Sequence, residues 1–257
     1  MDAERFQHFL DVVVRNADAD SQVVGVVVLG SGAGVSRQPD DFSDHDIWLI
    51  TTGGRAPALR ESIAWLPEPE RIVAHLADTA HGRSVVYEDG HLIEFAVFEV
   101  EELDVTRANE YAVLYDTTDI AQRLDQIAVR TEAEMAGIDP AWAAQRFIAQ
   151  LLIGLGRLGR GELMSANYMI REWAANSLLQ ALATGAKDRL DNLDPHRRIE
   201  TVLPDDTAAV VAALEQPLLE VARSLIALAS DRGLLEGPVL RAVEAALRRA
   251  AAGPGAV

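Results

Sequence analysis

Val23-Val24-Gly25-Val26-Val27-Val28-Leu29-Gly30-Ser31-Gly32-Ala33-Gly34, followed after a polar segment by Ser43-Asp44-His45-Asp46-Ile47-Trp48-Leu49-Ile50-Thr51, is the stretch on which the fold turns. Residues 23–29 are an apolar run of strand length, and residues 44–51 read as a second strand. Residues 30–42 between them are rich in Gly, Ser, Pro and Asp and predict a loop. A glycine-rich turn after an apolar strand also suits a dinucleotide-binding fold, but that motif opens directly into a helix whose N-terminus meets the pyrophosphate. Here Arg37-Gln38-Pro39-Asp40-Asp41 intervenes and a strand follows, and the absence of Gly-Lys-Ser/Thr removes a P-loop. What remains is a Gly-Ser turn ending one strand and two aspartates on the next.

Side chains alternate along a strand, so Asp44, Asp46 and Trp48 share one face while His45, Ile47 and Leu49 share the other. Carboxylates about 7 Å apart on one strand face repel each other, and this strand contains no Lys or Arg. A hard divalent cation neutralises such a pair. Magnesium takes oxygen from one or two carboxylates and completes its shell with phosphate oxygens and water. Glu94 lies in Leu92-Ile93-Glu94-Phe95-Ala96-Val97-Phe98, a run otherwise too apolar to carry a charge without a reason. If that strand lies beside residues 44–51, Glu94 completes a metal-binding cluster.

Working outward, Phe6, Phe9, Leu10, Val13 and Val14 recur at helical spacing after Asp2, a potential cap. A short helix is expected over 57–66 and a strand over 72–76. Residues 84–88 pair with 92–98 across Asp89-Gly90, which signals a type I′ hairpin, and 111–115 suggest an edge strand. From about Asp119 the composition turns to alanine and leucine, with Asp139-Pro140 as an expected N-cap and first helical residue. These patterns predict an α/β (α+β) domain with a mixed sheet over 1–125, a C-terminal α-helical bundle over 126–250 and a disordered tail over 251–257. The boundary falls within 117–138.

Composition narrows the function. With 257 residues, 49% of them hydrophobic, the chain can bury a core and is not intrinsically disordered. It has no cysteine, which excludes disulfides, zinc ribbons and a thiol nucleophile. Twenty-three basic against forty acidic residues give a net charge of −17, which argues against a broad nucleic-acid surface and suits cationic or metal-bridged partners. No apolar leader follows Met-Asp-Ala-Glu-Arg and no run approaches a membrane span, so a soluble, cytoplasmic protein is expected, with neither nucleic acid nor membrane as partner.

Gly30-Ser31, then Asp44-x-Asp46, then Glu94 on a later strand resembles the polymerase-beta-like nucleotidyltransferase superfamily. Within it, Ser43-Asp44-His45-Asp46 and Asp89-Gly90-His91-Leu92-Ile93-Glu94 resemble the antibiotic nucleotidyltransferases that act on aminoglycosides and lincosamides. The likeness covers about residues 20–100, and Arg160-Gly161-Glu162 and Arg197-Arg198-Ile199-Glu200 extend it loosely into the helical half. The resemblance implies a mixed sheet, two magnesium ions and a nucleoside triphosphate lying along Gly30-Ser31. It implies transfer of a nucleotidyl group, AMP from ATP, to a hydroxyl of a small-molecule acceptor that a polycationic aminoglycoside would fit. Asp44, Asp46 and Glu94 would hold metal, and Ser31 and Ser43 would contact phosphate. Glu94 is the leading general base, with Glu162 a second acid that could reach the acceptor. Glu162 and Glu172 are expected on one helix. His45 occupies a position that is usually apolar, which bears on the packing behind the site. Trp48 is expected in the core, and Lys187 as a cation at a helix end. Two other readings keep the fold: transfer to a protein hydroxyl, against which the long helical half counts, and a non-catalytic nucleotide-binding protein, against which the three carboxylates count.

Overall fold

The structure is a computed structural model and describes residues 3–35, 38–134, 139–183, 185–186, 190–191 and 193–255. The chain forms two compact units, Met1–Glu134 and Met135–Val257. In the first, helix α1 (Ala3–Asp18) precedes β1 (Val23–Leu29), β2 (His45–Thr51), α2 (Ala56–Glu61), β3 (Ile72–Ala77), β4 (Gly82–Tyr87), β5 (Leu92–Glu99), β6 (Tyr111–Asp116) and α3 (Ile120–Glu134). The six strands form one sheet in the order β3-β4-β5-β2-β1-β6. Only β2 and β5 pair in parallel, so the sheet is mixed.

The sheet is covered on both faces, which explains the apolar β1, buried at all seven positions. Phe6, Leu10 and Val13 of α1 pack with Val26, Val28, Ile47, Leu49, Ile93 and Val97 on one face. On the other, Val27, Leu29, Trp48, Ile50 and Phe98 pack with Ile120, Leu124 and Ile127 of α3. The change of composition near Asp119 therefore does not end the first unit: α3 carries an apolar stripe at helical spacing and uses it to cover the sheet.

Asp116 joins β6 to α3. Its carboxylate accepts hydrogen bonds from the N–H groups of Thr118 at 3.0 Å, Ile120 at 2.9 Å and Ala121 at 3.0 Å. Burial raises its pKa, but the bonds from Ala121, Ile120 and Thr118 outweigh that and hold it below its ordinary value. A depressed folded pKa contributes stability above the unfolded value, and this stability is lost as pH falls through the folded value. Asp116→Ala should cost about 1 kcal/mol at neutral pH and should flatten the acid limb below about pH 4, where the unfolded carboxyl protonates. Urea unfolding across that range checks both; an unchanged acid limb would contradict the assignment.

The hairpin between β4 and β5 differs from the sequence expectation. Its turn is closed by a hydrogen bond from Gly90 N–H to Tyr87 O at 2.9 Å, and Tyr87 N–H pairs with His91 O at 2.9 Å. Gly90 lies at φ 83° while Asp89 does not have positive φ. A type I′ turn needs positive φ at both central residues, so this is a three-residue loop with a glycine bulge. Pairing moves by one residue, and Ser84 rather than Val85 faces Glu94.

The second unit is helical: α4 (Pro140–Gly159), α5 (Leu163–Asn167), α6 (Ala175–Leu182), α7 (Ile199–Val202), α8 (Pro204–Leu214), α9 (Leu218–Asp231) and α10 (Gly237–Ala251). Asp139 caps α4, accepting from Ala141 N–H at 3.0 Å, with Pro140 as the first helical residue. Phe147, Leu151, Leu155, Ile170, Leu178, Leu225 and Val243 form its core. Gly154 permits close packing there, since a Cβ would fall 2.5 Å from Ile170 Cγ1. Beyond α10, Gly253 lies against α4, where a Cβ would fall 2.2 Å from Gly159 O. Among the described residues, no helix is long and apolar enough to cross a membrane.

Candidate active site

At the end of β1, Gly30–Ala33 form one tight 3-10 turn, with Gly30 at φ 57° and Gly34 at φ 64°. Glycine adopts such angles without strain, which explains the glycines at positions 30 and 34. Gly30 donates its N–H to Glu110 O at 3.0 Å, so what it offers a ligand is a bare backbone rather than a free donor. Ser31 Oγ lies 3.3 Å from Ser43 Oγ, bringing together two hydroxyls twelve residues apart. Ser43 Oγ also accepts Asp40 N–H at 2.9 Å and donates to Asp40 Oδ1 at 3.3 Å, and Asp40 Oδ1 in turn accepts Phe42 N–H at 2.9 Å. The serines thus order the loop, and their hydroxyls stand together within it.

Asp44 is exposed immediately before β2, and Asp46 is partly buried within it. Across the parallel pairing, Asp46 is in register with Glu94 and His45 with Ile93. Paired residues share a face, so Asp46 and Glu94 stand side by side on the face that carries Trp48. Trp48 is buried edge-to-face against Phe98, with ring centroids 5.3 Å apart, in the core between this face and α3. The transverse row continues outward through Ser84 of β4 to Leu76 of β3. Leu76 is 53% exposed, so this end of the row is open to solvent.

Glu94 has a raised pKa: burial contributes most, then the negative charges of Asp44 and Asp78. Asp78 is a member of the cluster that sequence reasoning missed. Its carboxylate accepts a hydrogen bond from Ser84 Oγ, and Ser84 is the register partner of Glu94. The available signal was the hairpin's loop length, which decides whether serine or valine faces Glu94.

Among the described residues, no three acidic or histidine side chains are closed around a common metal position. The donor set nevertheless suits a hard divalent cation. It consists of carboxylates on one sheet face whose mutual repulsion already shows at Glu94, and magnesium needs only one or two of them beside phosphate and water.

His45 is fully buried on the opposite face. Its ring stacks on Phe6 at 3.7 Å and lies 4.5 Å from Phe9. Nε2 is 3.1 Å from Phe6 O and Nδ1 is 2.8 Å from His91 Nε2. Burial pushes its pKa down to about 3, so the ring is neutral. It is a core imidazole with both nitrogens bonded.

In the helical unit, Glu162 is pinned by Arg160, with Nε to Oε1 at 2.6 Å and Nη2 to Oε2 at 3.3 Å. The Arg160 hydrogen bond holds its pKa below the ordinary value, which makes it a weaker proton acceptor. Glu172 is exposed in a π-helical segment, Tyr168–Ala174, that separates α5 from α6. The expected single α-helix through both glutamates is therefore interrupted, and α-helical spacing does not relate them. Lys187 lies outside the described residues, as do 135–138 at the end of the expected boundary interval.

The mixed sheet thus carries a Gly-Ser turn at the end of one strand, Asp-x-Asp at the start of its neighbour and a glutamate in register beside them. The family model described as streptomycin adenylyltransferase matches residues 4–185, and the chain belongs to that family. It is similar to the solved structure of an aminoglycoside 6-adenyltransferase from Bacillus subtilis, with 15% identity over 96% of this chain and 92% of the other and a TM-score of 0.30. It is also similar to a nucleotidyltransferase-like protein from Exiguobacterium sibiricum 255-15, with 14% identity over 95% of this chain and 74% of the other and a TM-score of 0.37. No curated protein matches significantly.

Proposed function

We propose that this nucleotidyltransferase transfers AMP from magnesium-bound ATP to a hydroxyl of a small cationic acceptor of the aminoglycoside class. The observation that carries the reading is the register of Asp46 with Glu94 on one sheet face, together with the pairing of the Ser31 and Ser43 hydroxyls across the loop between β1 and β2. Asp44, Asp46 and Glu94 would hold magnesium, which when bound offsets phosphate charge at the reacting phosphorus. Ser31 and Ser43 turn their hydroxyls to phosphate oxygens, and Gly30 lets the triphosphate lie close to the backbone. The acceptor oxygen attacks the α-phosphorus, the bond to the α,β-bridging oxygen breaks, and pyrophosphate leaves. Glu94 takes the acceptor proton, a role that suits its raised pKa, whereas the ion-paired Glu162 does not compete for it. Asp78 adds negative charge on the acceptor side, which favours a cationic substrate. The first unit is the catalytic domain in this reading, and the helical unit binds acceptor.

Release of pyrophosphate from ATP is measured across an antibiotic panel at fixed magnesium. At least one aminoglycoside is expected to give turnover that disappears when the metal is chelated. Turnover with a protein substrate alone would favour the protein-hydroxyl reading, and triphosphate binding without any turnover would favour a nucleotide sensor.

A further inference from the structure

We propose that His45 and His91 form a clasp that sets the spacing between the strand carrying Asp44 and Asp46 and the strand carrying Glu94. Both histidines are then positioning residues for the cation and triphosphate site, and the proposal rests on the reading of that site given above. His45 is the first residue of β2 and pairs with Ile93, while His91 immediately precedes β5. Their 2.8 Å contact therefore lies at the starting ends of the two parallel strands. It stands on the opposite face from Asp46 and Glu94 and beyond the first backbone pair.

The partners determine the direction of the bond. Phe6 O only accepts, so His45 Nε2–H donates to it. In a neutral imidazole the other nitrogen must then accept, so His91 Nε2–H donates to His45 Nδ1. The His45 ring cannot turn away, because it is fully buried, stacked on Phe6 and flanked by Phe9. His91 is held against Phe9 edge-on at 5.5 Å and beside Tyr87 at 5.9 Å.

A force opposes this arrangement. Asp46 of β2 and Glu94 of β5 stand in register on the other face, and like charges placed opposite each other push the two strands apart. Among the described residues, no β2–β5 pair lies beyond His45 and Ile93 to resist it. An apolar side chain at position 45 could fill the space but could not bond across to β5. The clasp ties α1, β2 and the β4–β5 hairpin at one point, through Phe6, His45 and His91.

The test compares His91→Leu, which keeps an apolar side chain against Phe9 and Tyr87 but loses the donor, with His91→Gln, whose amide can still donate to His45. Binding of Mn2+ to the full chain in the presence of α,β-methylene-ATP is followed by electron paramagnetic resonance, with thermal unfolding recorded in parallel. Loss of one such hydrogen bond should weaken Mn2+ binding about fivefold in His91→Leu, and His91→Gln should return to within about twofold of wild type. Wild-type affinity in His91→Leu, or equal weakening in both variants, would overturn the clasp. Should His91→Leu fail to fold, His91→Ala takes its place with the same two readings. Asp46→Asn separates this failure from failure of the site: if it binds Mn2+ as tightly as wild type, the site reading falls, whereas weak binding there with wild-type binding in His91→Leu removes the clasp alone.

Discussion

Asp46→Asn is expected to lower nucleotidyl transfer by a factor on the order of 10²–10³ while the chain stays folded. The amide keeps the shape of the carboxylate, so the β2–β5 pairing and the packing over Trp48 are retained. What it loses is the charge that, on the proposed function, would hold a divalent cation beside phosphate. Metal stabilisation of transition-state charge is worth several kcal/mol, and each ~1.4 kcal/mol is a factor of ten in rate. Asp46 is the carboxylate in direct register with Glu94, so the neighbouring Asp44, exposed outside the strand, cannot replace it in position. Initial rates of pyrophosphate release across a magnesium titration, with circular dichroism as the check on folding, measure this. Equal turnover of wild type and variant at saturating magnesium would remove Asp46 from the site.

Glu94→Gln should lower the chemical step by roughly 100-fold or more, the scale for losing a positioned general base. Triphosphate affinity should fall much less, because Asp44 and Asp46 remain and the amide still offers one oxygen to a cation. The two roles of Glu94 separate experimentally. A metal ligand alone predicts that binding and rate fall together and that excess magnesium restores part of the rate. A base predicts that ground-state binding survives while single-turnover rates collapse. In the metal-free chain, burial and then the charges of Asp44 and Asp78 raise the affinity of Glu94 for a proton, the property on which the base role depends. Calorimetric titration with triphosphate and single-turnover kinetics on the same variant decide between them. A fully active variant would exclude both roles.

The division between what was legible in the chain and what was not follows the range of the interactions involved. Alternation along a strand is local, so the shared face of Asp46 and Trp48 and the opposite orientation of His45 follow from the order of residues alone, whereas Asp44, expected on the same strand, lies just before it. The apolar run 23–29, the Gly30-Ser31 turn and the Asp139-Pro140 helix start are local in the same sense, and each lies where its own chemistry directs it. The mixed-sheet fold and the nucleotidyltransferase family were therefore within reach of the sequence.

Only tertiary structure placed Glu94 against Asp46, because a parallel register depends on the crossover through α2, β3 and β4 rather than on either strand. The loop beyond β4 illustrates the sensitivity. Positive φ at Gly90 but not at Asp89 adds one residue to the turn, and this exchanges Val85 for Ser84 beside Glu94, with Asp78 bonded to that serine. The pairing of Glu162 with Arg160, the π-helical interruption before Glu172 and the assignment of α3 to the sheet also depended on folded geometry. His45 combines both levels: its sequence position directs it inward, but only the fold supplies Phe6 O and His91 Nε2, the two partners that let a polar ring be buried between Asp44 and Asp46.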